Sequence, residues 1–221
     1  MNPKLIIGNK NYSSWSLRAW LLMREAGIDF DVHRILLDIE STADEIAALH
    51  AGGTVPVLQL GDVTVWDTMA IAETVAERWP DRQQWPQDAD ARAHARSICA
   101  EMHSGFVHLR ECMPMNCRAM GRKVALPDDL TADIDRVIAI WSACHRRYSG
   151  DNGDDGWLFG QFSIADAMYA PVVLRFRTYG INLPESAGFY PQRLLQSNAM
   201  QEWLAAAETE VEVIERDEKG R

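Results

Sequence analysis

The chain has 221 residues, 47% of them hydrophobic and 24% charged, which fits one large domain or two small ones built around a packed core. Its 32 acidic side chains against 22 basic ones leave a formal charge of −10. That balance argues against a general nucleic-acid binder, which needs a basic stripe to neutralise phosphates, and against a polybasic membrane anchor. The apolar run at the N-terminus is too short for a signal peptide, and no stretch of about 18 apolar residues occurs. Cys99, Cys112, Cys117 and Cys144 show neither CxxC nor zinc-finger spacing. They read as reduced thiols with no metal, and the expected compartment is the cytoplasm.

The first third of the chain alternates short apolar runs with helical patterns. Residues 4–8 read as a buried strand, 15–26 as a helix closed by Gly27, and 30–36 as a second strand. Ser41, with Asp44 three residues on, suits a short helix start. Residues 57–60 and 63–66 flank Gly61-Asp62 as a hairpin, and Asp67 caps a helix running to Arg78. The order is β-α-β-α-β-β-α, with a parallel crossover first and an antiparallel hairpin last.

Trp79-Pro80-Asp81 and Trp85-Pro86 mark a linker over residues 79–88, and helical spacing follows. Ala91, Ala95, Ile98, Met102, Phe106 and Leu109 form the stripe of one long helix that Pro114 should end. Leu130, Ile134, Val137, Ile138, Trp141 and Cys144 form a second stripe. Residues 149–156 read as a polar loop. Helix signals resume at Ser163, with a kink expected at Pro171 and an end at Gly180, and again near Ser197. The charged tail, residues 215–221, should fray. The expected architecture is therefore α/β plus all-α, with domains at 1–78 and 89–221.

Three segments carry possible chemistry. Asn11-Tyr12-Ser13-Ser14-Trp15-Ser16-Leu17-Arg18 sits between the first strand and the first helix. A helix N-terminus there offers unpaired N–H groups and partial positive charge, and a nearby hydroxyl can donate to an anion. A hydrogen bond to a charged group contributes roughly 1.5–3 kcal/mol, enough to lower a thiol's pKa by about one to two from its usual value near about 8.5. The plainer reading makes Ser13 or Ser14 a helix cap. The second segment is Gly52-Gly53-Thr54-Val55-Pro56-Val57-Leu58. A cis Val55–Pro56 bond would present the Val55 backbone to an extended peptide, whereas a trans bond makes Pro56 an ordinary edge residue. In the third, Trp66-Asp67-Thr68-Met69-Ala70-Ile71, Thr68 and the helix amides can hold a carboxylate and Asp67 can accept from an ammonium, or the pair simply caps the helix.

In this order and spacing, the three segments resemble the glutathione-binding domain of the cytosolic glutathione transferases. That family joins a thioredoxin-like domain to an all-helical one, and the resemblance covers nearly the whole chain. Gly160-Gln161-Phe162-Ser163-Ile164-Ala165-Asp166 resembles the family's helical capping motif. The segment N-Y-S-S-W-S-L-R is similar to that of a group of bacterial serine-type members. The turn holds no cysteine, unlike the omega and glutaredoxin-like branches, and lacks the S-S-C-x-W pattern of zeta-class isomerases.

The resemblance implies that glutathione is a co-substrate whose thiolate attacks a small electrophile. It places Ser13 at the sulfur, with Ser14 close behind, and assigns glutathione contacts to Asn11, Trp15, Thr54, Val55, Pro56, Asp67 and Thr68. The second substrate is expected against the first long helix, near Met102, His103, Phe106 and Arg110. A His and an Arg there suit an anionic or carbonyl-bearing compound, although the same stripe also reads as a solvated or dimer-facing one. His108 and His145 read as surface or satisfied histidines. A homodimer is implied, with residues 89–112 and the third N-terminal helix at its interface. Two further readings stand beside the transferase: a glutathione-dependent cis-trans isomerase, and a non-catalytic binding or regulatory protein on the same fold.

Overall fold

The computed structural model describes residues 2–149 and 156–221. Four strands, β1 (Lys4–Ile7), β2 (Asp31–Arg34), β3 (Val57–Leu60) and β4 (Val63–Trp66), form one sheet in the order β2-β1-β3-β4. β1 pairs parallel with β2 and antiparallel with β3, and β3 and β4 form the hairpin around Gly61. β1 is apolar at consecutive positions because both of its faces are covered. Leu5 and Ile7 join the main core, whereas Ile6 packs with Ile35, Ile46 and Val57 on the opposite face.

Helices α1 (Ser14–Glu25) and α3 (Thr68–Arg78) lie on the main-core side, and the short α2 (Thr42–Ala47) contributes Ile46 to the other. Gly27 takes a left-handed φ of 63°, where a glycine costs least, and so ends α1. A short 3₁₀ turn at Pro80–Arg82 leads out of the sheet unit.

The helical half comprises α4 (Ala89–Ser104), α5 (Val107–Cys112), α6 (Asp128–Tyr148), α7 (Ile164–Tyr179), α8 (Glu185–Gln196) and α9 (Asn198–Glu208). The single long helix expected over residues 89–112 is instead two. α4 ends at Gly105, where a Cβ would sit 2.8 Å from the Glu101 carbonyl oxygen, and Phe106 adopts a left-handed φ of 58°. The chain restarts as α5 with Phe106 still buried, so the apolar spacing survives the break. α8 is an addition to the expected helices: Pro184, Gly188 and Pro191 mask it as a loop in the sequence. Of the polar loop expected at 149–156, residues 150–155 lie outside the described residues. Among the described residues, no helix is long and apolar enough to cross a membrane.

Trp20, Trp141 and Trp203 fill one continuous core that spans both halves. Its joint is α7, whose residues are nearly all buried and which packs along α1 and α4. Asp166 anchors the start of α7. It is fully buried and accepts from Leu158 N (2.9 Å), Ser163 N (2.8 Å) and Ser163 Oγ (2.9 Å). Burial pushes its carboxyl up to about 7, against those donors.

The tail does not fray. Ile214 is buried, and residues 215–217 form a 3₁₀ turn. Glu218, 7% exposed at its side chain, accepts from Tyr12 OH (2.7 Å), Asn116 Nδ2 (2.8 Å), Arg122 (2.7 Å) and Arg221 (3.0 Å). Glu218, which reads as part of a solvated run, finds Tyr12 and Asn116 at separations of 206 and 102 residues in sequence. Burial works to raise the Glu218 pKa, but the bonds from Tyr12 and Asn116 and the two arginines hold it below its ordinary 4.5.

A carboxylate with a depressed folded pKa adds stability above its unfolded pKa and loses it as pH falls through the folded one. Acidification below 4.5 should therefore release the tail ahead of the core. Hydrogen exchange of residues 214–221 checks this: protection there that is lost only with that of α7 would contradict it.

Candidate active site

The C-terminal end of β1 feeds a turn, residues 8–13, that delivers the chain to the N-terminus of α1. Asn9 shapes the turn: its carbonyl accepts from Ser13 N at 2.8 Å, and its Oδ1 accepts from Leu37 N at 2.8 Å. From outside, Glu210 takes Lys10 N (2.8 Å) and Asn11 N (3.0 Å), and Arg34 lies 2.8 Å from the same carboxylate. Asn11 is fully buried, bonding Asn116 and Arg118, and serves as a brace of the turn.

The two serines are held differently. Ser13 caps α1, accepting from Ser16 N at 3.4 Å and donating to Ser16 Oγ at 2.7 Å, which also takes Gly8 N at 3.0 Å. Ser14 Oγ accepts from Arg175 Nη2 at 3.3 Å, and among the described residues its own proton is donated to nothing. Both line a cavity of about 430 Å³ together with Trp15, Arg110, Arg175, Arg216 and Asp217.

A second cavity, about 230 Å³, is lined by Trp15, Thr54, Val55, Pro56, Asp67, Thr68 and His103, so Trp15, Thr54 and Val55 border both. The Val55–Pro56 bond is cis. His50 Nε2 lies 2.7 Å from the Thr54 carbonyl oxygen and fixes the loop before it. Asp67 takes a left-handed φ of 70° and caps α3, its Oδ1 accepting from Met69 N (2.8 Å) and Ala70 N (3.3 Å). Its other oxygen lies 3.1 Å from His103 Nε2, which reaches in from α4. The His103 ring meets Trp15 edge-on, with centroids 5.4 Å apart.

Three guanidiniums surround Trp15 and Ser14. Arg18 donates to the Met168 carbonyl at 2.8 Å and stands 4.3 Å from the Trp15 ring; Arg110, 5.0 Å from that ring, caps α4 through the Met102 and His103 carbonyls. Arg175, on α7, bonds the Arg110 and Met113 carbonyls besides Ser14. Burial lowers the pKa of each. For Arg175, burial and then Arg110 bring it to about 10, which leaves it cationic at neutral pH. None has a carboxylate within ion-pair distance among the described residues, so Arg110 and Arg175 put unpaired positive charge on the cavity wall, whereas Arg216 on the same wall is paired with Asp38 at 3.1 Å. Asp217, whose charge works to raise the Arg175 pKa, is itself pushed up by burial.

The residues picked from the sequence thus divide. Ser13, Ser14, Trp15, Thr54, Val55, Pro56, Asp67, Thr68, His103 and Arg110 line one cavity or the other, whereas Met102 and Phe106 are buried in the core and line neither. His108 is half exposed, and His145 stacks on Phe189. Arg175, Arg216 and Asp217 were not visible as site residues. No local motif marks them, and only the packing of α7 and the tail brings them in. Among the described residues, no group of His, Cys, Asp or Glu is placed to hold a metal ion.

A thioredoxin-like sheet with a cis-proline loop, followed by an all-helical half, defines the class of this protein. Comparison with known proteins agrees with that class. Family models for the glutathione S-transferase N-terminal and C-terminal domains match residues 12–78 and 93–207. Glutathione S-transferase 1 of Dianthus caryophyllus is 31% identical over 185 residues, covering 82% of each chain. Among solved structures, a glutathione transferase homologue from Burkholderia with bound glutathione superposes with a TM-score of 0.70 at 22% identity, over 95% of this chain and 100% of that one. A bacterial zeta-class maleyl pyruvate isomerase gives 0.71 at 20% identity, over 94% and 99%. The chain belongs to the glutathione S-transferase family.

Proposed function

We propose that the chain is a glutathione transferase in which Ser14 stabilises the glutathione thiolate for attack on a small electrophile. The observation that carries this reading is the undonated Ser14 hydroxyl, at the amide end of α1 and in a cavity that adjoins the Asp67–Thr68 cavity. Glutathione lies with its γ-glutamyl ammonium on Asp67, its carboxylate on Thr68 and the α3 amides, and its cysteinyl backbone on Val55 beside Pro56. The sulfur then meets Ser14. The thiol gives its proton to solvent, Ser14 donates to the thiolate, and a sulfur lone pair forms the new bond as the leaving group departs with its electrons. Ser13 supports this by starting the helix. The functional units are residues 1–78 and 89–221 joined by 79–88, and the protein acts as a cytoplasmic homodimer.

Titration of glutathione by calorimetry, in two buffers of different ionisation enthalpy, tests this. Binding with proton release near neutral pH is the expected result, and the absence of binding would overturn it in favour of a non-catalytic protein on this fold. Asp67→Asn should keep the left-handed conformation and the cap but lose the charge, weakening glutathione about 10- to 100-fold.

The electropositive wall made by Arg110 and Arg175 favours a second substrate that carries a carboxylate or carbonyl. It is also the observation behind an alternative, cis-trans isomerisation of an unsaturated keto acid with glutathione added and then expelled. Conversion of such an acid with no net loss of glutathione would establish that alternative.

A further inference from the structure

We infer that Arg175 is a positioning residue for thiolate formation: it holds and polarises the Ser14 hydroxyl from behind, so that the hydroxyl proton points at the bound sulfur. The inference rests on the Ser14 reading above. Arg175 is buried and its reach is divided. Nη1 is spent on the Arg110 and Met113 carbonyls, which leaves Nη2 to donate to Ser14 Oγ at 3.3 Å. Those two carbonyls, at the start and just past the end of the last turn of α5, fix the plane of the guanidinium. A hydroxyl that accepts from a cation is a stronger donor in its turn, because each bond of a chain polarises the next.

Ser14 is also fixed at its own carbonyl, which accepts from Arg18 at 3.4 Å. The alternative partner for its proton is therefore whatever occupies the cavity. Ser13, whose hydroxyl is turned into the helix cap, has no such cation behind it.

Other charged or titratable groups face Arg175: Arg110 on α5, Arg18 on α1, Tyr179 at the end of α7 and Asp217 on the tail. Arg110 and Arg18 add positive potential without touching Ser14 Oγ, and Asp217 opposes them. The difference between a relay through Ser14 and a diffuse field is therefore measurable. A relay requires both partners, whereas a field acts on the sulfur whether or not Ser14 is present.

The experiment is a double-mutant cycle with Arg175→Lys and Ser14→Ala, read as the pKa of bound glutathione from its ultraviolet thiolate absorbance. Lysine keeps the charge but is too short to serve the two carbonyls and Ser14 together. Arg175→Lys alone should raise the bound thiol's pKa by about one, the difference between a charge-assisted and a neutral hydrogen-bond chain. In the Ser14→Ala background the same change should move it little. Equal shifts in both backgrounds, or no shift in either, would overturn the relay.

If the buried substitution does not fold, the ¹⁵N resonance of the Arg175 guanidinium in the glutathione complex replaces it. That resonance should titrate with the thiol in the unmodified protein and not in Ser14→Ala, and a resonance indifferent to Ser14 would overturn the relay. A bound thiol whose pKa is not lowered even in the unmodified protein would instead refute the Ser14 reading itself.

Discussion

Ser14→Ala should raise the pKa of bound glutathione by about one to two, back toward the value of a free thiol, while weakening glutathione binding at neutral pH by about 4-fold at most. Besides Arg175, the hydroxyl would touch only the sulfur, and the proposed binding contacts lie in the neighbouring cavity at Asp67, Thr68 and Val55. At neutral pH the thiolate fraction, and with it kcat, should drop about 10- to 25-fold, with the acid limb of the pH–rate profile displaced upward by the same pKa change. Ser13→Ala is the informative control. It removes a helix cap worth about 1 kcal/mol and so lowers stability, but it should leave the thiol's pKa in place. A pH profile that moves with Ser13 and not with Ser14 would transfer the role to the cap residue.

The largest effect on stability belongs to a residue remote from the chemistry. Asp166→Ala should destabilise the fold by about 3–5 kcal/mol and lower Tm by about 10 °C. The change strips the acceptor from Leu158 N, Ser163 N and Ser163 Oγ, all buried and without a route to water. It also loosens the N-terminus of the helix that carries Arg175 and that packs on both α1 and α4. Asp166→Asn keeps one acceptor oxygen but turns an amide toward a donor, and it should fall between the two. A thermal melt within a degree or two of the unmodified protein for Asp166→Ala would contradict this account.

The features legible in the sequence are those with local causes. The hairpin declares itself through Gly61-Asp62 between two short apolar runs, α3 through Asp67, and the start of α7 through Ser163 and Asp166 three positions apart. Val55-Pro56 and Asp67-Thr68 could be picked out because their neighbours in sequence are also their neighbours in space.

Arg175 could not be found this way. It meets Ser14 across 161 positions, and within α7 it looks like one more polar residue of a mostly apolar helix. The break at Gly105 was hidden for a different reason: Met102, Phe106 and Leu109 are buried whether the helix continues or restarts, so burial spacing alone cannot tell the two apart. The tail misled because a run of charges looks like a run of solvated ones until its partners, Tyr12, Asn116 and Arg122, are known.

The hold of Glu210 and Glu218 on the turn at residues 8–13 also sets an order of events during synthesis. The turn is among the first segments to leave the ribosome, yet two backbone amides and the Tyr12 hydroxyl find their acceptors about 200 residues later. A nascent chain can complete its sheet and most of its helices with the serine turn still unbraced. A product cut short before residue 210 would share that fate, carrying every residue assigned to glutathione but lacking the brace. Full bracing of the serine turn is thus tied to completing the chain through Glu218, the last residue that holds it.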